Sequence, residues 1–412
     1  MKKNVFLRSA NLLKNSIKMS LNLDLEGVVK DLSELKGLPQ KMGQMLAIDS
    51  TQLFPEEMRE KFKILQKDAV AIDFSLVQKL ILKELGPEKF QKIEFLDQKP
   101  IGVGSISQVH RGKIAGREVV FKVQLPNLKE TIQSDVLMLK AFSALYNVAR
   151  PESKDIKNMI AEAESMLMYE IQFDREVQFL EKTAQILQGE GNYFTPQVFG
   201  EFSTKRLITL EYIEGTLLSD WIKKPHTHEE ILWVSQTLVD LFVLEFFKFG
   251  VVQTDPNFAN FIVTKDRRVA LIDFGAGKEF NAKFRRDYFQ LLKAGVFEDR
   301  EMIIHWGEFF GLVSRQDTDE AINLFVDFVM KSMRYFSRKY NPMDFGEEAF
   351  TSELVKLGTQ LWLKQKKSDP KSDLVFLHRK ASGIFHLIKD LKVKMDLSDV
   401  FDRAEKAIDE IT

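Results

Sequence analysis

The chain has 412 residues, 44% hydrophobic and 29% charged, and a net charge of −1. That balance excludes a disordered or fibrous chain and leaves no global field for nucleic acid, so no nucleic-acid partner is expected. With no cysteine, disulfides, thiolate metal sites and cysteine nucleophiles are excluded together. In chain order, residues 1–23 come first, with five basic residues and no acidic one. Val5, Leu12, Leu13 and Ile17, with Phe6, fall on one helical stripe. A helix packed on the body, a membrane-surface helix and a removed targeting segment are its readings, in that order. Residues 1 to about 95 carry a helical period, as in "SLVQKLILKELG". From Gln98 alternation takes over. "SISQVHRG" and "REVVFKVQ" read as a hairpin turning at Ala115-Gly116. Helix signals return from Asn127 to Leu187, and "RLITLEYIEG" reads as a strand ending at Gly215. From Ser219 to the end the chain reads as helical, apart from a hairpin in "NFIVTKDRRVALIDFG" with its polar turn at Lys265 to Arg268. The most apolar run, "ILWVSQTLVDLFVLEFFKFGVV", carries Asp240, Glu245 and Lys248, which marks a buried helix and not a membrane span.

Chemistry concentrates in "VVQTDPNFANFIVTKDRRVALIDFGAGKEF". Asn260 follows Asp255 by five residues, and Asp273 opens an Asp-Phe-Gly thirteen residues later. That spacing matches the catalytic loop and metal aspartate of kinases. Phosphoryl transfer needs Mg²⁺ between nucleotide oxygens, and a hard cation takes oxygen ligands. Asn260 offers a carbonyl oxygen and Asp273 a carboxylate, while Asp255 is suited to orient or deprotonate an attacking hydroxyl. The other parts lie upstream. "VVFKV" places Lys122 on a strand for the α/β-phosphates. Gly102-Val103-Gly104-Ser105, with Gly104 eighteen residues before that lysine, forms a loop of little bulk where backbone amides can approach phosphate. "MLMYEIQFDREVQFLEK" offers Glu170 and Glu176, on one helix, as partners for Lys122.

"KMGQ", "PIGVGSISQVH", "VVFKVQ", "YEIQFDREV", "LEYIEG", "QTDPNFANF", "ALIDFG" and the late "FLHRKASGIF" occur in one order. Together they resemble the UbiB/AarF family of atypical kinases, and most of all the branch serving mitochondrial coenzyme Q synthesis. The resemblance runs from about residue 30 to 395. It implies an α+β, two-lobed protein-kinase-like fold. Residues 1–95 would form a helical extension, 96–215 an N-lobe with inserted helices, and 216–412 a helical C-lobe. It implies Lys41 and Gln44 on a lid helix over the cleft, with Glu170 meeting them. It pairs Glu176 with Lys122, puts Glu211 at the linker that holds the adenine, and gives Asp255, Asn260 and Asp273 the catalytic and metal roles. The implied cofactors are ATP and Mg²⁺.

Two positions depart from the family pattern. Gln172 stands where the Glu-x-Asp element has its second acid, and on a continuous helix Asp174 would face elsewhere. The phosphate loop is Gly-Val-Gly-Ser where the family is alanine-rich. No Ala-Pro-Glu follows Asp273, Asn257 stands where protein kinases carry lysine, and the chain is read as entering helix directly after "IDFG". The expected activity is therefore an atypical kinase or ATPase acting on a small or lipid-like molecule, in the company of quinone-biosynthesis enzymes. The alternative is a nucleotide-gated lipid- or partner-binding protein with little turnover. The expected location is cytoplasmic, with peripheral membrane contact. His226 and His228 are read as a solvated loop and His110 as structural, while an approach of His378 to the cleft is the lesser of its readings. The 34 phenylalanines are read mostly as core.

Overall fold

The computed structural model describes residues 71–411, apart from 135, 138–139, 141–163, 166, 256 and 365–369. Residues 1–23 and the "KMGQ" segment, with Lys41 and Gln44, lie outside the described residues. The chain divides into two compact units. The described part of the first holds residues up to Glu181 together with Pro196–Ile213, and the second holds Lys182–Thr195 and Glu214–Thr412.

In the first unit, helix α1 (Phe74–Phe90) starts at Asp73, whose carboxylate accepts the Ser75 amide at 2.8 Å. Val77 and Ile81, one turn apart, bury one face of α1 in a core with Phe121, Val123 and Leu207. Then come β1 (Ile93–Leu96), β2 (Gly102–Val103), β3 (Ser107–Ile114), β4 (Arg117–Gln124) and, later, β6 (Leu207–Glu211). They form one antiparallel sheet in the order β1-β3-β4-β6, with β2 also on β3. The expected hairpin turn is there. Ala115 and Gly116 both have positive φ, 49° and 75°, as a two-residue turn between right-twisted strands requires. Two expectations fail here. Strand β1 begins before residue 95, and the helix expected through Leu187 breaks at Ile171–Gln172, with α2 (Phe173–Ile186) starting afresh.

The second unit mixes small ladders with helices. Its four-stranded sheet runs β5 (Tyr193–Phe194), β10 (Val269–Leu271), β9 (Phe261–Val263), β7 (Thr216–Leu217). The β5–β10 pairing is parallel, which is how residues 182–195 come to cluster with this unit. Helix α3 (His228–Phe242) opens with a capping box between Thr227 and Glu230. The long apolar run is not one helix. After Phe242 it widens into a π-helix, Val243–Phe249, and stops at Gly250 with φ 70°. A Cβ there would sit 2.5 Å from the Phe280 carbonyl oxygen, so only glycine lets the chain turn into β8 (Val251–Gln253).

Helix does not follow "IDFG" directly. β11 (Gly277–Glu279) first pairs antiparallel with β8, and α4 (Ala282–Val296) begins after it. α5 (Arg300–Phe309), α6 (Asp319–Met333), α7 (Glu348–Lys364), α8 (Ser372–Asp390) and α9 (Ser398–Asp409) complete the unit. The C-terminal part is not wholly helical, because β12 (Met343–Asp344) pairs with β13 (Lys394–Met395). The core is phenylalanine-rich, as expected. Phe246 is fully buried and meets Phe247, Phe280 and Tyr288 edge-on, with centroids 4.8, 5.3 and 5.6 Å away.

Candidate functional site

The residues singled out in the sequence fall into two groups, one in each unit. In the first unit Lys122 lies mid-β4, opposite Val109 of β3 and Ile208 of β6. Its ammonium donates to Glu176 Oε1 at 2.6 Å, with the two side chains 8% and 2% exposed. Burying two ions is costly, and a short charge-assisted bond between them is what makes it tolerable. Glu176 gets there through the break before α2. The Gln124 amide donates to the Ile171 carbonyl and the Gln172 amide to the Met168 carbonyl, both at 2.8 Å. These bonds satisfy carbonyls at the end of one helix and let the next begin at Phe173, with Asp174 and Glu176 in its first turn. Glu170 and Glu176 are therefore not on one helix, and with the helix interrupted at Gln172 helical geometry does not turn Asp174 away from it. Gln172 has a local task as a cap. Glu170 is half-buried, and any contact with Lys41 lies outside the described residues.

Gly102 and Val103 pair with Val109 and Gln108, and the Gly104 amide donates to the Ser107 carbonyl at 2.8 Å, with Ser105 inside that turn. A Cβ at Gly102 or Gly104 would meet only ordinary contacts, 3.7 and 3.6 Å away. The protein itself does not require glycine at either position. Glu211 ends β6, and its carboxylate accepts the Gln197 amide at 3.2 Å. Below the loop, His110 is fully buried between the Gln108 amide and the Asp97 carbonyl oxygen, each 2.8 Å away, a structural position as expected. Burial pushes its pKa below the ordinary histidine value.

In the second unit Asp255 lies two residues past the end of β8. Its carboxylate accepts the Asn260 side-chain amide at 3.0 Å and the Arg379 guanidinium at 3.2 Å. Arg379 is fully buried and the Asp255 side chain is 18% exposed. Asn257 caps the short 3₁₀ turn Phe258–Asn260 by accepting the Ala259 amide, which sets Asn260 at its end. Asp273 is tied in from the other side. The Ile272 amide donates to the Asn260 carbonyl at 3.0 Å, and the Asp273 carboxylate accepts the Gly275 amide at 3.0 Å. Because the Asn260 side-chain amide donates to Asp255, its side-chain oxygen is the atom that can face a cation. Among the described residues no three acids or histidines cluster into a metal cage. One carboxylate plus one carboxamide suits Mg²⁺, which keeps waters and phosphate oxygens in its shell.

Arg379 was missed, although "FLHRKASGIF" had drawn attention to the neighbouring His378. On α8, His378 meets the Tyr288 hydroxyl at 3.1 Å, while Arg379 reaches Asp255. Lys380 was missed as well, and its signal was legible. Leu374, Leu377, Lys380 and Leu387 recur on one helical face, so a lysine stands in an apolar stripe. His226 also differs from its reading. It stacks on Trp221 at 3.6 Å and bonds the Trp221 carbonyl, half-buried and not solvated.

The family model for the ABC1 atypical kinase-like domain matches residues 64–306. The Saccharomyces cerevisiae "Atypical kinase COQ8, mitochondrial" is 30% identical over 389 residues, covering 92% of this chain and 75% of that protein. The Schizosaccharomyces pombe protein of the same name is 28% identical over 386 residues, covering 92% of this chain and 62% of that protein. A solved structure, the Rv3197–erythromycin complex from Mycobacterium tuberculosis, superposes with a TM-score of 0.62 over 97% of both chains at 18% identity, a likeness of fold. More than half of the chain answers to that one family model, and the kinase-like fold goes with it. This protein therefore belongs to the ABC1 atypical kinase-like family and is, by class, an atypical kinase or ATPase.

Proposed function

We propose that the chain binds ATP with Mg²⁺ and transfers or releases the terminal phosphate in the service of quinone or lipid metabolism, and is not a conventional protein kinase. The observation that carries this reading is the Asp255–Asn260 contact, linked through the Ile272 amide to Asp273. It brings one carboxylate base, held by Asn260 and Arg379, and two oxygen donors of different charge onto neighbouring loops. Asn260 and Asp273 would hold the cation, which when bound neutralises charge on the transferring phosphoryl group. Lys122, held in place by Glu176, would hold the α/β-phosphates. The Gly102–Ser105 turn leaves space for an outside group to approach its backbone. Glu211 closes the strand whose backbone would take the adenine. Asp255, turned by Arg379 and Asn260, would orient the attacking hydroxyl or water and accept its proton.

The substrate side rests on the chain's own pattern and on its relatives. β11 and α4 follow Asp273 closely, leaving little chain for a peptide platform. The COQ8 names of the relatives support quinone-biosynthesis enzymes as partners. A lid carrying Lys41 and Gln44, with peripheral contact to a membrane by residues 1–23, completes the reading. Asp273→Asn tests it. The substitution should abolish the Mg²⁺-dependent thermal shift given by ATP and the phosphate release seen with detergent-solubilised quinone-like lipid. An unchanged Mg²⁺–ATP shift in the variant would remove Asp273 from the site.

A further inference from the structure

A second polar group lies deeper in the second unit, behind the proposed base. Lys380 of α8 and Glu245 of the π-helix form an ion pair at 3.1 Å, each side chain 1% exposed. Both reach for Gln253, the last residue of β8. Lys380 Nζ donates to the Gln253 side-chain oxygen at 3.2 Å, and Glu245 Oε1 accepts the Gln253 backbone amide at 3.1 Å. Gln253 is 2% exposed and stands two residues before Asp255. It is also opposite Gly277 of β11, four residues after Asp273, and the next residue, Thr254, bonds the Ala276 carbonyl through its hydroxyl at 2.6 Å.

A buried ion pair is poor at adding stability, since an apolar pair of equal volume often does as well. What it does well is fix geometry, because each charge tolerates few arrangements of its partner. Here the geometry fixed is that of a three-residue strand with one short neighbour, too little ladder to hold itself. The π-helix fits the same purpose: widening the helix at Val243–Phe249 is the local irregularity that presents Glu245 at β8, and such bulges recur where side chains must be aimed.

We infer that Lys380, Glu245 and Gln253 are positioning residues, a buried clamp that sets the register of β8 against β11 and thereby the separation of Asp255 from Asp273. The inference rests on the proposed roles of those two aspartates. Arg379 and Lys380 are consecutive on α8, so one turn of that helix grips both Asp255 and the strand that carries it.

The test uses the full chain in two variants. Glu245→Gln with Lys380→Met removes both charges while keeping an acceptor for the Gln253 amide. Gln253→Met removes the handle and leaves the ion pair, and it decides the matter if the double variant does not fold. Two quantities are read: kcat and KM for Mg²⁺–ATP, and hydrogen exchange at the Gln253 and Thr254 amides. We expect kcat to fall about tenfold or more with KM changed by less than about threefold, since small misplacement of a reacting group costs rate before binding. Exchange at those amides should quicken about tenfold while Phe121 in the first unit is unchanged. Wild-type exchange at Thr254 in a folded variant overturns the clamp, as does an unchanged kcat, or a fall in kcat matched by a comparable rise in KM that marks general damage. If the wild-type protein turns over no ATP, the proposed function fails by that result, and the exchange readout alone decides the clamp.

Discussion

Asp255 shows how much one residue depends on neighbours that are remote in sequence. Its type and its spacing to Asn260 could be read directly, but a charged partner, Arg379, comes 124 positions later. Removing that guanidinium frees the carboxylate to rotate and leaves a buried hole beside it. Arg379→Ala should lower ATP turnover on the order of 10²-fold, the scale expected when a reacting group is misplaced by about an ångström. Nucleotide affinity, measured by titration, should change far less, because Lys122 and Asp273 are untouched. A variant that folds and turns over ATP at the wild-type rate would mean that Arg379 does not aim Asp255. Lys122 and Glu176, by contrast, do meet as the motif order implies. Spacing along the chain could nominate both residues. It could not show that a helix break at Gln172 is what delivers Glu176.

At the scale of elements, the β3–β4 hairpin was legible because alternation and its turn residues agree, while the break before α2 was not. Helical periodicity continues through Ile171–Gln172, and only side-chain caps from Gln124 and Gln172 reveal the interruption. The same β3 carries a pH dependence. Its His110 is buried and neutral, with a pKa below the unfolded value of about 6.5. Below that value the unfolded chain takes up a proton that the folded chain refuses, so stability is full above it and declines as pH falls through it. The melting temperature should drop from pH 7 to pH 5. His110→Gln should flatten that part of the profile while lowering stability at pH 7, where a good packing partner is lost. An equal slope in the variant would place the proton uptake elsewhere.

Over the whole molecule, no helix among the described residues is long and apolar enough to cross a membrane. The second unit rests on one continuous aromatic-rich core running from α3 to α9. Phe246 is at its centre, on the π-helix that also carries Glu245. Phe246→Ala should cost about 3–5 kcal/mol by denaturant titration, the usual cost of emptying a packed phenylalanine site. A loss under about 1 kcal/mol would mean that the core refills the cavity. The sequence by itself determined the β3–β4 hairpin, the strands β6, β9 and β10, and the residue types fit for phosphate, cation and base, while the order of its motifs implied the class of the fold through a family resemblance. The elements and residue types follow from local periodicity, turn chemistry and spacing within single segments. Only the tertiary structure decided that α8 supplies Arg379 and Lys380 to a loop more than a hundred residues upstream. It also decided that the apolar run after α3 widens into a π-helix, and that a strand separates Asp273 from the next helix. A buried polar side chain is chosen by the group it faces, and that group is brought near by the packing of whole elements, which no single stretch of sequence encodes.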